Sequence, residues 1–418
     1  MESVTGAIAR DPNSIPLEDF DLTEPMLYHR NEHWGFFKRL RDEDPVHYTA
    51  DSRYGPFWSI TRYEDILAVD SNHKVFSSHG ITNLDEDLMK GDDDDTIAIG
   101  GFIATDPPEH DIRRKVVTPA MAPTNLARLE SLIRERTREV LRELPVGEEF
   151  DWVEAVSLRL TLLMLATLVD FPRDQQRQLK RWSDVISGSP GDGNVESWEQ
   201  RDRELEEMAK TFLEMREKKR HEEPGYDLIS MLVHSPIGAN MTPMQYVSDI
   251  TLLIVGGNDT TRNSMSGSIV AFNRFPGEWD KLMADPALIA STVPEIIRWQ
   301  TPVMYQGRRA KEDHEIGGKV IRKGDKVAMW YVSGNRDERA IQDPDRFIID
   351  RERPRQHLSF GFGVHRCLGN RLAEMQLRVL WEEIVNMGWK RIELVDEPLY
   401  AMSNMLRGID RMSVRIVA

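Results

Sequence analysis

The chain has 418 residues, of which 40% are hydrophobic and 30% are charged, a mixture that predicts a sizeable folded core. Its formal net charge is −16, which argues against non-specific binding to nucleic acid or to an anionic membrane. A single cysteine excludes an internal disulfide framework and any zinc or iron–sulfur site built from several cysteines.

The N-terminal part of the chain predicts its location and its first short elements. Residues 1–20 lack the basic-then-apolar layout of a signal peptide. No apolar run reaches the roughly eighteen residues of a membrane span, so we expect a cytoplasmic protein without a membrane anchor. Asn31–Arg41 has the pattern of an amphipathic helix, and His47–Ala50 and Phe57–Thr61 have strand composition.

The next part of the chain changes from irregular to helical. Between Ser77 and Gly101 the sequence is rich in glycine and serine and includes Asp92–Asp95, a run that predicts a solvated loop rather than a metal site. From 122 to 222 apolar residues recur at spacings of three and four, which predicts helices. Ser187–Gly193 is rich in glycine and predicts a break between two of them.

A long helix is predicted in the second half, with Thr242 as its cap and an end near Phe275. Residues 316–332 suit short strands, and helix returns after Gly369. The length allows two lobes or one large domain. We expect a single domain over 1–418 that is mainly α with a minor β lobe.

The strongest signal is Phe360–Gly369, which reads Phe-Gly-Phe-Gly-Val-His-Arg-Cys-Leu-Gly and contains Cys367. A lone cysteine is more often an inert, buried residue. Here Gly361, Gly363 and Gly369 can take positive φ and let the backbone approach a flat ligand closely. The helix predicted after Gly369 directs its positive end at the sulfur, which favours a thiolate.

This ten-residue pattern resembles the haem-binding loop of cytochromes P450, and three other segments resemble the same family in the same order along the chain. The resemblance implies the cytochrome P450 fold, a haem b cofactor with Cys367 as its iron ligand, and Phe360 and Gly369 in the cofactor site. A thiolate ligand favours O–O cleavage at haem iron. The implied activity is that of a monooxygenase, with O2 as cosubstrate and a small hydrophobic compound as substrate.

One of these segments, Gly256–Thr261, lies within the predicted long helix. Its two glycines could simply allow close helix packing. Alternatively, they make room for a ligand, while the Thr260 hydroxyl bonds back to the Gly256 carbonyl and opens the helix locally. The resemblance implies that Thr260 holds the hydrogen-bond network around the bound oxygen and that Asp259 helps to deliver protons.

Glu295 and Arg298 place opposite charges three residues apart on one helix face, which alone is typical of a surface ion pair. In the family this pattern is a structural brace beneath the haem, tied to a further arginine. Arg346 of Pro344-Asp-Arg-Phe is the expected partner. We therefore expect a structural role for this pair.

Haem carries two propionates, which need cationic partners. His110 and Arg114 lie four residues apart and share one helix face. The resemblance adds Arg308 and His365 as further propionate-binding positions. Arginine suits carboxylates through its fork of donors.

Several stretches resemble the bacterial alkane terminal-hydroxylase branch: 254–265, 295–302, 330–337 and 355–363. This resemblance implies hydroxylation at the end of a medium-length alkyl chain, in alkanes or fatty acids. The segment 303–307 departs from the branch, so Tyr305 and Gln306 are expected to reshape the pocket or to offer a hydrogen bond. Residues 76–102 and 402–406 are expected to line the pocket too. A terpenoid or aromatic substrate remains open.

The chain shows no nicotinamide or flavin fingerprint, so electrons must come from another protein. The family implies a ferredoxin with its ferredoxin reductase. A basic docking patch near the cysteine is predicted from Arg113, Lys115, Arg366, Arg371 and Arg378.

Two other classes of protein were considered. A cysteine hydrolase would pair Cys367 with a histidine base, but the glycine-rich segments would then have no role. A non-catalytic haem sensor would explain Cys367 but would leave Asp259 and Thr260 unused.

Overall fold

The computed structural model describes residues 11–85, 100–188, 190 and 194–418, which form a mainly helical body with a smaller β portion. None of the helices in these ranges is both long enough and apolar enough to cross a membrane. The α-helices are α1 (Pro25–His29), α2 (His33–Glu43), α3 (Tyr63–Ser71), α4 (Glu109–Val117), α5 (Pro123–Arg142), α6 (Arg159–Leu168), α7 (Gln176–Ser187), α8 (Trp198–Arg220), α9 (Leu228–His234), α10 (Pro236–Ala239), α11 (Pro243–Arg274), α12 (Pro276–Ala284), α13 (Ile289–Gln300), α14 (Tyr331–Gly334) and α15 (Asn370–Met387).

The strands form small sheets. They are β1 (Val46–Thr49), β2 (Phe57–Ile60), β3 (Phe76–Ser77), β4 (Glu149–Asp151), β5 (Gln306–Ala310), β6 (His314–Ile316), β7 (Lys319–Ile321), β8 (Lys326–Met329), β9 (Arg391–Leu394), β10 (Leu399–Tyr400), β11 (Ile409–Arg411) and β12 (Ser413–Val417). The largest sheet has the order β1-β2-β8-β5-β3, and it is antiparallel except where β2 pairs with β8. A second sheet has the order β4-β12-β9, and β10–β11 and β6–β7 form pairs.

Helix α11 runs through the middle of the helical body and packs against α6, α7 and α13. The predicted capping box is present, since the Thr242 hydroxyl accepts from the Gln245 N–H and the Gln245 side chain accepts from the Thr242 N–H. A side chain at Gly267 would meet the Gln300 amide at 2.2 Å, so glycine is what lets α13 approach α11 there. Helix α11 is therefore held at its N-terminus by the capping box and near its C-terminus by close packing against α13.

The apolar core divides around α11. One cluster joins its N-terminal half to α5–α9, through side chains such as Leu165 and Trp182. Another joins its C-terminal half to α13, α15 and the β4-β12-β9 sheet, through Phe272 and Trp381. The large sheet has apolar clusters of its own. This arrangement holds α11 and α15 in fixed positions relative to one another.

Most of the predicted elements are confirmed. The helix predicted at Asn31–Arg41 is α2, the predicted strands are β1 and β2, and the long helix ends at Arg274. Within 316–332 the chain forms part of the hairpin β6–β7 and then β8, before α14 begins. The break predicted after Ser187 separates α7 from α8. The predicted aspartate loop, 92–95, lies outside the described residues.

Candidate active site

The loop that carries Cys367 is shaped by its backbone. Gly361 and Gly363 both have a φ of +64°, a conformation that suits glycine. The Cys367 N–H donates to the Phe360 carbonyl at 2.8 Å and so closes the loop. Gly369 differs from our expectation, because its φ is −84° and a side chain there would meet no atom within 4 Å. It precedes α15, and its backbone N–H bonds the sulfur, a role that any residue except proline could fill, so the structure does not explain the glycine here.

The sulfur of Cys367 lies at the positive end of α15. The side chain is accessible to solvent, yet protein surrounds the thiol closely enough for burial to raise its pKa. The backbone N–H groups of Gly369 and Asn370 hydrogen-bond the sulfur and act in the opposite direction, as does the positive charge of Arg114. They do not outweigh burial, so the pKa of Cys367 is raised overall, and the thiolate predicted from the helix position stays a prediction that depends on a bound metal ion.

The predicted propionate-binding side chains converge near this loop. The rings of His110 and His365 meet edge to face with centroids 4.3 Å apart. Burial and the positive charge of Arg308 lower the pKa of His365 to about 2, with a further contribution from His110. The Arg114 Nη2 donates to the Arg366 carbonyl at 2.5 Å. The structure therefore brings His110, Arg114, Arg308 and His365 together beside the cysteine loop.

These side chains fit a bound dianionic group such as haem. The Nε2 of His110 and both ring nitrogens of His365 are buried and lack a hydrogen-bond partner among the described residues. Burial lowers the pKa of both rings. The His110 Nδ1 donates to the Asp111 Oδ1 at 2.8 Å, so the Nε2 of a neutral His110 is an acceptor, whereas a neutral His365 keeps an N–H donor without a partner among the described residues. Together with Arg114 and Arg308, His365 supplies donors for two carboxylates, and the arginines add positive charge.

In the segment 256–261 of α11, one predicted hydrogen bond is present and one predicted distortion of the helix is not. The Thr260 Oγ1 donates to the Gly256 carbonyl at 3.0 Å, as expected. However, α11 continues without interruption, so the predicted opening is absent. A carbonyl oxygen has two lone pairs and can accept the hydroxyl as well as the helical N–H. A side chain at Gly256 would meet no atom within 4 Å, whereas one at Gly257 would contact Leu165.

Asp259 is buried and turned towards α7. Its Oδ2 accepts from the Ser183 hydroxyl at 2.8 Å, and its Oδ1 lies 2.8 Å from the Arg262 Nη2. Asn258 donates to Oδ1 at 3.3 Å. The carboxylate is therefore held by three groups and has no hydrogen bond to Thr260 in the described part of the chain.

The predicted brace exists, but its third member differs from our prediction. Glu295 and Arg298 are fully buried, with Oε2 and Nε 2.7 Å apart. The further arginine is Arg351, whose Nε lies 3.0 Å from Glu295, and not Arg346. Arg346 is exposed and contributes only its carbonyl, which accepts from Arg298 at 2.9 Å. The chain turns at residues 349–350, and this lets Arg351 reach the buried carboxylate while its Nη2 also donates to the Arg346 carbonyl at 3.1 Å.

Tyr305 does not offer its hydroxyl to a pocket. The side chain is fully buried and lies against Trp330, with ring centroids 4.6 Å apart. Its hydroxyl donates to the Asn83 Oδ1 at 2.6 Å and accepts from the Leu84 N–H at 3.2 Å. Tyr305 therefore anchors the segment 81–85, and that part of our expectation is wrong.

The predicted basic patch is smaller than expected. Arg113 is buried and pairs with Asp249 of α11 at 2.5 Å. Arg378 pairs with Glu130 and Glu382, both at 2.9 Å. The members that are exposed are Lys115, Arg366 and Arg371.

Asp70 is a residue near this site that we did not predict. It lies in the last turn of α3 and is buried, and it accepts hydrogen bonds from Arg308, Tyr331 and the backbone of the cysteine loop. The only sequence signal is its place four residues after the buried Ile66, which puts an acid on an apolar helix face. Its partners are distant in sequence and could not be read from that position.

The site also bears on the hydrolase alternative. No nitrogen of His110 or His365, the histidines brought near Cys367, hydrogen-bonds the sulfur in the described residues. The cysteine–base pair that such an enzyme needs is therefore not formed here.

Comparisons with known proteins agree with this geometry. The family model described as Cytochrome P450 matches residues 268–387. Linalool 8-monooxygenase of Pseudomonas putida is 38% identical and aligns over 96% of this chain and 100% of its own length. This level of identity over nearly the whole chain shows the family.

Solved structures show the same fold. CYP153D17 from Sphingomonas sp. PAMC 26605 has a TM-score of 0.90 and 40% identity, over 96% of this chain and 100% of that one. Cytochrome P450-153 from Novosphingobium aromaticivorans has a TM-score of 0.86 and 36% identity, over 95% of this chain and 99% of that one. These two structures confirm the resemblance to the alkane terminal-hydroxylase branch. The chain belongs to the cytochrome P450 family of monooxygenases.

Proposed function

We propose that this protein is a haem-thiolate monooxygenase that hydroxylates the end of a medium-length alkyl chain. The observation that carries the haem site is the position of the cysteine loop beside the cationic cluster. Arg114 acts on the Cys367 sulfur and donates to the Arg366 carbonyl, and His365 of the same loop meets His110 and lies near Arg308. When bound, haem with a thiolate ligand activates O2 for insertion of one oxygen atom into a C–H bond.

The binding residues fall into two groups by what they supply. Cys367 supplies the metal ligand, and the Phe360 carbonyl fixes the loop around it. Arg114 and Arg308 supply positive charge to the two propionates, and His365 supplies a neutral N–H donor. His110 packs against the His365 ring and donates from Nε2 only in its protonated form, because its Nδ1 is bonded to Asp111.

Thr260 and Gly256 are proposed to form the oxygen side of the site. The open face at Gly256 leaves room for a ligand against the helix, and the Thr260 hydroxyl lies one turn away. A hydroxyl both donates and accepts, so Thr260 can hold a proton-carrying hydrogen bond at its Oγ1. Asp259 is proposed as the acid that resupplies this proton. To do so, its carboxylate must leave the Ser183 and Arg262 contacts.

An alkyl-chain substrate is supported by the likeness to the two family 153 structures and by the four stretches that resemble the alkane branch. Because the Tyr305 hydroxyl is already bonded to Asn83 and Leu84, it does not favour a polar anchor for the substrate. A terpenoid is the second candidate, favoured by the relative that is named for linalool.

Electrons are proposed to arrive from a ferredoxin and its reductase. Lys115, Arg366 and Arg371 are exposed near the cysteine loop and form a basic area on a chain of net charge −16. An acidic ferredoxin would be steered to this area. Arg113 and Arg378 are excluded from it by their ion pairs.

The test is a titration of the purified ferric protein with n-octane and with dodecanoic acid, following the haem Soret band. A shift to the high-spin form with octane supports the alkyl-chain proposal. A shift with the acid alone would replace it by a carboxylate-anchored substrate, and a shift with linalool alone would favour the second candidate. No shift with any of them would remove the substrate assignment but not the family.

A further inference from the structure

Asp70 joins parts of the site that are far apart in sequence. Its side chain is only 1% exposed, and its Oδ1 accepts from the Arg308 Nη2 at 2.9 Å. Its Oδ2 accepts from the Tyr331 hydroxyl at 2.9 Å and from the Phe362 N–H at 2.7 Å. One carboxylate therefore holds strand β5, helix α14 and the cysteine loop.

The contact with Arg308 fixes the direction of the guanidinium. Its Nη2 donates to Asp70, and its Nη1 donates to the Gly307 carbonyl at 2.7 Å. A guanidinium carries five N–H donors, so these contacts leave donors for another anion. The carboxylate also balances the buried charge of Arg308, which would be costly alone.

The contact with the cysteine loop fixes the backbone before Cys367. A side chain at Gly361 would lie 3.1 Å from the Asp70 Oδ2, and one at Gly363 would lie 2.6 Å from the Asp70 carbonyl. Both glycines have a φ of +64°. The end of α3 thus packs directly against the loop at the points where its chain turns.

We infer that Asp70 is a positioning residue that sets the cysteine loop and the propionate-binding arginine in one rigid unit. This inference rests on the haem site proposed above. Asp70 acts through Arg308 and through the loop backbone, and Tyr331 holds its carboxylate from the third side. Its carboxylate would also add a negative charge next to the propionate-binding arginine of a bound haem, and this would favour the ferric state over the ferrous state.

The experiment compares the haem-loaded wild type with Asp70→Asn, with Tyr331→Phe and with the control Asp65→Asn, which removes a carboxylate from the same helix. Two readouts are the rate of haem loss to apomyoglobin and the ferric/ferrous reduction potential. Asp70→Asn should lose haem about 10-fold to 100-fold faster, the usual effect of removing an outer-shell partner. The ferric/ferrous reduction potential of Asp70→Asn should rise, because the variant lacks the negative charge of the Asp70 carboxylate.

Tyr331→Phe should lose haem faster than wild type but keep the wild-type reduction potential, since no charge changes. Asp65→Asn should match wild type in both the rate of haem loss and the reduction potential. The inference is overturned if Asp70→Asn keeps the wild-type haem-loss rate and potential. Should Asp70→Asn fail to fold, Tyr331→Phe decides: faster haem loss supports the inference, and the wild-type rate overturns it. A wild type that binds no haem would instead refute the proposed function.

Discussion

Glu295 and Arg298 form an ion pair in which neither side chain is exposed, with 2.7 Å between Oε2 and Nε. The same carboxylate accepts from Arg351 and from the Ile348 N–H, and Arg298 donates to the carbonyls of Asn335 and Pro344. The pair therefore ties α13 to the chain that leads to the cysteine loop.

Replacing Glu295 by Gln should strongly destabilise the fold, because the buried Arg298 guanidinium and the partly buried Arg351 guanidinium would lose their counter-charge. We expect a loss of about 3–5 kcal/mol in the free energy of unfolding at neutral pH, measured by urea denaturation. The control Glu374→Gln breaks a pair with the exposed Arg355 and should cost about 1 kcal/mol or less. Equal losses in the two variants would contradict the brace.

The pH dependence of this loss has a defined sign. Burial alone would raise the pKa of Glu295, but the guanidiniums of Arg298 and Arg351 hold it below its usual value of 4.5. The pair therefore stabilises the fold fully above pH 4.5, and this contribution disappears as the pH falls through the lower folded-state pKa. The difference between wild type and Glu295→Gln should narrow in acid. A difference that grew in acid would be inconsistent with this pKa shift.

Thr260→Ala should separate oxygen consumption from product formation. The variant loses the hydroxyl that bonds the Gly256 carbonyl, and we expect at least about tenfold less product per electron pair, with peroxide formed in its place. Thr260→Ser should restore most of the product. The matched control is Ser264→Ala, which removes a similar bond to the Thr260 carbonyl one turn along the helix. Unchanged coupling in Thr260→Ala would contradict the role proposed for its hydroxyl, whereas a haem-loaded wild type that forms no product would favour a haem sensor over an oxygenase.

Reversing charge at Lys115 and Arg371 should slow electron transfer from a ferredoxin. Because steering by surface charge changes association rates by about 10-fold to 1000-fold, the effect should be largest at low salt and shrink as salt is added. Lys210→Glu on the exposed side of α8 is the control. A stopped-flow rate that is unchanged in the double variant would remove this docking area.

Tyr305→Phe tests whether this side chain anchors the segment 81–85 or contacts the substrate. The variant leaves the Leu84 N–H without its partner, so we expect a loss of about 1–3 kcal/mol in unfolding free energy. The ratio of octane to dodecanoic acid dissociation constants should stay within about twofold, since the hydroxyl is already bonded to Asn83 and Leu84. A large change in this ratio, with stability unchanged, would restore the pocket role.

The parts of the site that sequence could predict are those made by local chain geometry. The bond from Thr260 to Gly256 follows from a spacing of four in a helix, and the direction of α15 towards Cys367 follows from its starting point. The parts that it could not predict depend on distant contacts. The choice of Arg351 over Arg346 needs the turn of the chain between them. The burial of Arg113 needs the position of α11.

In the fold, too, features set by neighbouring residues could be predicted from the sequence, and features set by distant contacts could not. The predicted long helix is confirmed because its cap and its end lie in neighbouring residues, whereas the pairing of β2 with β8 joins residues far apart in the chain. Asp70 shows why a site is harder to predict than a helix. Its position on a buried helix face could be recognised, but its three partners come from separate elements.

The central claim is that Cys367 binds haem iron as a thiolate. The most direct measurement is the absorption spectrum of the reduced, carbon monoxide-treated protein, compared between the wild type and Cys367→Ser. We predict the red-shifted Soret band of a thiolate-ligated haem in the wild type and its loss in Cys367→Ser. A wild type that purifies without haem, or a variant that keeps the same band, would contradict the claim.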